Sequence, residues 1–130
     1  MTNVLAGLIA LTLSFLINKY IFAKVNCRGV IIFISPFIEE ILKTGLAYYL
    51  VNGLIITHLV FGLGEASFDL FNNNNIAASL ALLTHLLFGI FTFWLWKWSN
   101  SLIAAIILVV LVHIIWNYLI ISYKIIHKEV

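Results

Sequence analysis

The chain is divided into apolar stretches of about twenty residues by polar breaks of only a few residues, and few folds accept that pattern. Val, Ile, Leu and Phe dominate each stretch, and a helix of that length matches a hydrocarbon core ~30 Å thick. A transmembrane barrel needs shorter segments of alternating character with polar turns, which this sequence lacks. Of the 130 residues, 64% are hydrophobic and 9% charged, with a mean hydropathy of +1.14, more apolar surface than a soluble domain of this size buries. The expected class is an all-α polytopic membrane helix bundle.

Five spans are expected, at about residues 3–23, 29–51, 54–71, 76–96 and 102–123. The first segment has neither a basic n-region nor a small-x-small cleavage site, and reads as a retained helix. A single domain results: residues 1–28 as a peripheral first helix and basic loop, 29–123 as a four-helix core, and 124–130 as a cytoplasmic tail. Cys27, the only cysteine, allows no intrachain disulfide. A net charge of +2 is too small to suggest a nucleic-acid partner; the expected partners are the lipid bilayer and a peptide held in or near it.

Basic residues set the expected orientation. Lys19, Lys24 and Arg28 cluster at the first loop, and Lys124 and Lys128 follow the last span. With five spans these groups share one side and only Lys97 takes the other, which places the N-terminus outside and the C-terminus in the cytoplasm. A four-span chain would split the basic groups across the membrane. Tyr48, Tyr49, Trp94, Trp96 and Trp98 then mark outer ends, and Tyr20 and Tyr123 inner ends. The expected location is the plasma membrane of a prokaryote.

Against this background the adjacent acids Glu39 and Glu40 stand out. A carboxylate at the bilayer centre costs ~2.5–3.5 kcal/mol on insertion scales. At ~1.5 Å per residue both lie ~15–16 Å deep, and Glu65, His85 and His113 reach similar depth from three other spans. The convergence implies a polar cavity within spans two to five. Lys43 follows Glu39 at i+4 and Glu40 at i+3, so one acid pairs with it while the other faces the cavity. Pro36 frees backbone groups near the pair. Gly62 and Gly64 admit a close neighbour. Asp69 follows Glu65, and Asn117 follows His113, at i+4. Bland readings stand beside these: a structural ion pair for Glu39, Glu40 and Lys43, a packing hydrogen bond for Glu65, an interfacial charge for Asp69, core hydrogen bonds for His85 and His113, and a helix bridge for Asn117. His58 reads as interfacial, off the plane of the cluster.

No serine or cysteine nucleophile is credible: no G-x-S-x-G elbow exists, and Cys27 is remote. H-E-x-x-H is also absent. A buried glutamate beside a second acid suits water activation, taking a proton from water and later passing it to a leaving amine. The histidines would orient the water or meet an oxyanion, to which Asn117 could also donate. No cofactor is required, although Glu65, His85 and His113 together make a plausible zinc ligand set.

The ordered residues Glu39-Glu40-x-x-Lys43, Phe61-x-x-x-Glu65, His85 and His113-x-x-x-Asn117 resemble the CAAX-protease and bacteriocin-processing superfamily of intramembrane glutamic endopeptidases, and within it the PrsW-like branch. The resemblance covers roughly residues 35–120. It implies Glu39 as the base, assisted by Glu40, with Lys43 as the basic partner, Glu65 at the second motif, His85 at the third, and His113 with Asn117 completing the site. Thr44 stands at the arginine position of the longer first motif, so the lysine version is the one that fits. Glu65 stands where CAAX-type enzymes carry histidine, and a glycine-rich version of that motif would select Asp69 instead. Some members of the superfamily are non-catalytic.

The first expectation is therefore a small intramembrane endopeptidase that uses glutamate-activated water. The second is a scaffold or partner-binding subunit of the same fold. A proton- or cation-coupled carrier comes third, because five spans without an inverted repeat do not resemble carrier architecture.

Overall fold

In a computed structural model, which describes residues 2–25, 27–51 and 53–128, the chain is an all-α bundle with no strand among those residues. The helices are α1 (Thr2–Val25), α2 (Ser35–Leu46), α3 (Leu54–Phe71), α4 (Asn75–Ser99) and α5 (Leu102–Lys128). Four of them, α1, α3, α4 and α5, are long and apolar enough to cross a membrane. The second span is broken differently: wide π-helical turns at Val30–Ile34 and Ala47–Val51 flank α2. Helix α5 continues through most of the stretch expected as a tail, while Glu129 and Val130 lie outside the described residues.

Helix α2 is amphipathic in the sense a membrane demands. Ser35, Pro36, Glu39, Glu40, Lys43 and Thr44 are buried along one stripe, and Phe33, Phe37 and Ile41 face outward. In lipid the polar face turns inward, because only the interior can satisfy it.

The helices form a closed ring. α1 packs on α2 and α3, α2 on α5, α5 on α4 and α4 on α3, with α2 and α3 also touching across it. The first helix is therefore not peripheral. Ala6, Ala10 and Ser14 are spaced by four and buried, and this small-residue stripe lets α1 approach closely. A Cβ at its Gly7 would stand 2.7 Å from the Cβ of Val60, so no larger residue fits there without displacing α3.

The closest pairing is α3 with α4, and its cause is a short inverted repeat. Thr57-His58-Leu59-Val60-Phe61-Gly62 recurs as Thr84-His85-Leu86-Leu87-Phe88-Gly89 on the antiparallel partner. Each glycine receives the other copy's histidine: a Cβ at Gly62 would lie 2.8 Å from the Cβ of His85, and one at Gly89 2.7 Å from that of His58. The premise that no inverted repeat exists is thus corrected at the scale of two helices. The turn between them uses its asparagines individually. Asn72 donates to Phe68 O at 2.9 Å, Asn73 takes a left-handed φ of 58°, and Asn74 caps α4 by accepting from the Ala77 N–H at 3.1 Å.

At one end of the bundle Tyr48 packs edge-on against Trp96 at 5.3 Å, bringing the end of α2 level with the end of α4. This is the aromatic end opposite the Lys19, Lys24 and Arg28 group.

Candidate functional site

The buried stripe of α2 meets α3, α4 and α5 in one hydrogen-bonded network centred on Glu40. Its Oε1 accepts from Lys43 Nζ at 2.6 Å and from His113 Nδ1 at 2.8 Å. Lys43 Nζ also lies 3.0 Å from His85 Nδ1, and His85 Nε2 lies 2.5 Å from Glu65 Oε2. Glu40, Lys43 and Thr44 are wholly inaccessible to solvent, and His85 and His113 nearly so.

Donor and acceptor chemistry fixes the tautomers. An ammonium only donates, so His85 Nδ1 must accept and its Nε2 must carry the hydrogen given to Glu65. A carboxylate only accepts, so His113 donates through Nδ1 to Glu40, and in the neutral ring Nε2 then holds the lone pair. That Nε2 stands 3.9 Å from Glu39 Oε2.

Glu39 occupies a different environment from its neighbour. One oxygen accepts from Asn18 Nδ2 at 3.2 Å, and the acid lines a cavity of about 600 Å³ between α1 and α3. Glu65 and Asp69 line this cavity as well, together with the apolar side chains of Leu11, Phe15 and Phe68. A second cavity of about 290 Å³ lies between α3, α4 and α5, and shares Glu65 and Asp69 with the first. His85, His113 and Asn117 line this second cavity. The first cavity runs along α1 from Leu11 to Asn18 beside the acids, and the second runs from them toward the α3–α4 turn, reaching Asn74 and Tyr123. Beyond the acids the interior is closed by Thr44, Ala47, Thr57, His58 and Thr92, none of which is exposed.

The expected residues are thus brought together, with four changes. Glu40, expected to assist Glu39, is enclosed, with Oε1 accepting from Lys43 and His113. Asn117 lines the second cavity, but its Nδ2 donates to the Ile31 carbonyl at 3.0 Å and not toward the acids. The backbone explains this contact. The Ser35 N–H is taken by Val30 O, and Pro36 has no N–H, so the Ile31 carbonyl has no helical partner. His58 is not interfacial: it is fully buried, with Nε2 3.4 Å from Thr44 Oγ1 and Nδ1 3.9 Å from Glu40 Oε2. Asp69 is half-buried one turn below Glu65, on the wall the two cavities share.

A further change concerns metal. Among the described residues, the acids and histidines whose ligand atoms gather within 4.8 Å are Glu39, Glu65 and His85, not Glu65, His85 and His113. The set is poorly suited to a cation. Lys43 holds a positive charge against His85 and fixes the hydrogen on Nε2, the nitrogen that faces the acids.

Asn18 carries no motif, and its signal is positional: it continues the four-residue spacing of Ala6, Ala10 and Ser14 on the face of α1 that packs inward. For His58 the signal is the hexapeptide it shares with His85.

Comparison with protein-family models, curated proteins and solved structures finds no match to this chain.

Proposed function

We propose that this chain is a small intramembrane endopeptidase of the PrsW-like kind, hydrolysing a peptide bond in or near the membrane with glutamate-activated water. One observation carries the reading: Glu39 Oε2 and His113 Nε2, two acceptors when the imidazole is neutral, lie 3.9 Å apart, Glu39 lining the first cavity and His113 the second. A water spanning them gives one hydrogen to each and keeps its own lone pairs for attack. Glu39 takes the proton as the water adds to the carbonyl, and delivers it to the departing amine. His85, with the Lys43 ammonium behind it, supplies the donor and the positive field for the oxyanion. Glu65 receives His85 before substrate arrives. Glu40 keeps His113 in the tautomer this arrangement needs.

The apolar walls of the first cavity suit an apolar peptide segment entering between α1 and α3. The second cavity runs toward the end that carries the basic residues, so the positive-inside rule favours access from the cytoplasmic side of a prokaryotic plasma membrane.

A partner-binding scaffold is the second reading, favoured by the pairing of buried Lys43 with both Glu40 and His85, which is how a purely structural ion cluster is built. Reconstituted protein separates the two. Peptide fragments from proteoliposomes holding wild type, Glu39→Gln or His113→Ala are compared by mass spectrometry. Cleavage by wild type alone is expected; equal cleavage by all three removes the mechanism. A Glu39→Gln variant that keeps full cellular function and its co-purifying partner supports the scaffold.

A further inference from the structure

The inverted hexapeptide places two histidines on consecutive residues of α2. His85 reaches Lys43, and His58 reaches Thr44. His85 is integrated into the network above, whereas His58 presents an unexplained feature. Its Nδ1 and the Oε2 of Glu40 are buried side-chain atoms without a hydrogen-bond partner, and they face one another at 3.9 Å.

We propose that His58 is a positioning residue for Glu40, carrying its hydrogen on Nδ1 and closing onto Oε2 to complete the carboxylate's coordination. Charge and geometry both favour this. Glu40 accepts from an ammonium and an imidazole through Oε1, and the buried ammonium at 2.6 Å favours the carboxylate form, in which Oε2 is an acceptor. An Nε2–H tautomer at His58 would set its Nδ1 lone pair against that oxygen, with both atoms buried. The Nδ1–H tautomer turns the facing pair into a charge-assisted hydrogen bond and leaves Nε2 to accept from the Thr44 hydroxyl. The titratable and charged groups around Glu40 are then Lys43 from its own helix, His58 from α3 and His113 from α5. A fixed chain of hydrogen bonds results: Thr44 donates to His58, and His58 and His113 both donate to Glu40. The lone pair of His113 faces Glu39 at its end. The two copies of the repeat therefore hold opposite tautomers: Nδ1–H at His58 and Nε2–H at His85.

The structural part of the proposal needs no activity, and its catalytic consequence rests on the peptidase reading. Long-range ¹⁵N–¹H correlation spectra of ¹⁵N-histidine-labelled protein in micelles give each tautomer directly. An Nδ1–H signal at His58 and an Nε2–H signal at His85 are expected; an Nε2–H signal at His58 overturns the proposal whether or not the protein cleaves anything. Two variants test the consequence. Asparagine places an amide nitrogen near the position of Nδ1, and glutamine near that of Nε2. His58→Asn is expected to keep kcat within about threefold, and His58→Gln to lose on the order of 10–100-fold in kcat with KM unchanged. Equal kcat for the two variants, with both folded by their spectra, overturns the positioning role while leaving the peptidase reading intact.

Discussion

Lys43 Nζ stands 3.0 Å from His85 Nδ1, and this contact determines how the buried site can be used. It joins the acid pair of α2 to Glu65 on α3 through a single imidazole, and it fixes which nitrogen of that imidazole carries hydrogen. A second consequence is electrostatic: the ammonium lies beside the same three groups that would otherwise gather a cation.

Resistance to chelation is the prediction that follows. Exhaustive dialysis against a strong chelator is expected to leave peptide cleavage within about twofold, since no step depends on a Lewis acid. Loss of cleavage that added zinc restores would show that Lys43 yields its place to a metal.

The two adjacent acids are predicted to fail differently. Glu39→Gln removes the proton acceptor and keeps the shape, so cleavage drops by ~10²–10⁴-fold with little change in thermal stability. Glu40→Gln leaves Lys43 buried without its counter-ion, a defect of about 3–5 kcal/mol, so its first sign is a lower unfolding temperature in detergent. Similar melting curves for the two variants would contradict the division of labour.

Pro36 and Asn117 are predicted to be coupled across the bundle. Asn117→Ala leaves the Ile31 carbonyl unpaired, at a cost of about 1–3 kcal/mol. Pro36→Ala supplies the missing N–H, so Asn117→Ala should cost less in that background. A double-mutant cycle measured by reversible unfolding reads the difference, expected at ~0.5–1.5 kcal/mol. Strict additivity would mean that the amide has another purpose.

Glycine substitutions separate close packing from mere helix content. Gly62→Ala meets the Cβ of His85 and forces α3 from α4, with an expected loss of about 1–3 kcal/mol. Gly45→Ala meets nothing within 4 Å and should be neutral or stabilising by up to ~1 kcal/mol. Thermal unfolding of the two variants, side by side, checks the pair.

Hydropathy was sufficient to read the all-α class and four of the apolar helices long enough to cross a membrane, because each depends on local length and composition. The Leu54–Phe71 helix begins and ends where the polar breaks place it. Partner choice was not legible in this way. Glu39 and Glu40 are indistinguishable by spacing, since each stands within one turn of Lys43. Only the ring of helices decides that Glu40 is enclosed by Lys43 and His113 while Glu39 meets Asn18 and a cavity. Asn117 shares a face with His113 by the helical repeat, yet a carbonyl freed by Pro36 on another helix claims its amide. The sequence by itself determined which polar groups fall within long apolar helices, because length and hydropathy are constraints on each segment alone. The tertiary structure decided which group bonds to which, because a buried donor is satisfied by whatever acceptor the packing of other helices brings within 3 Å or so.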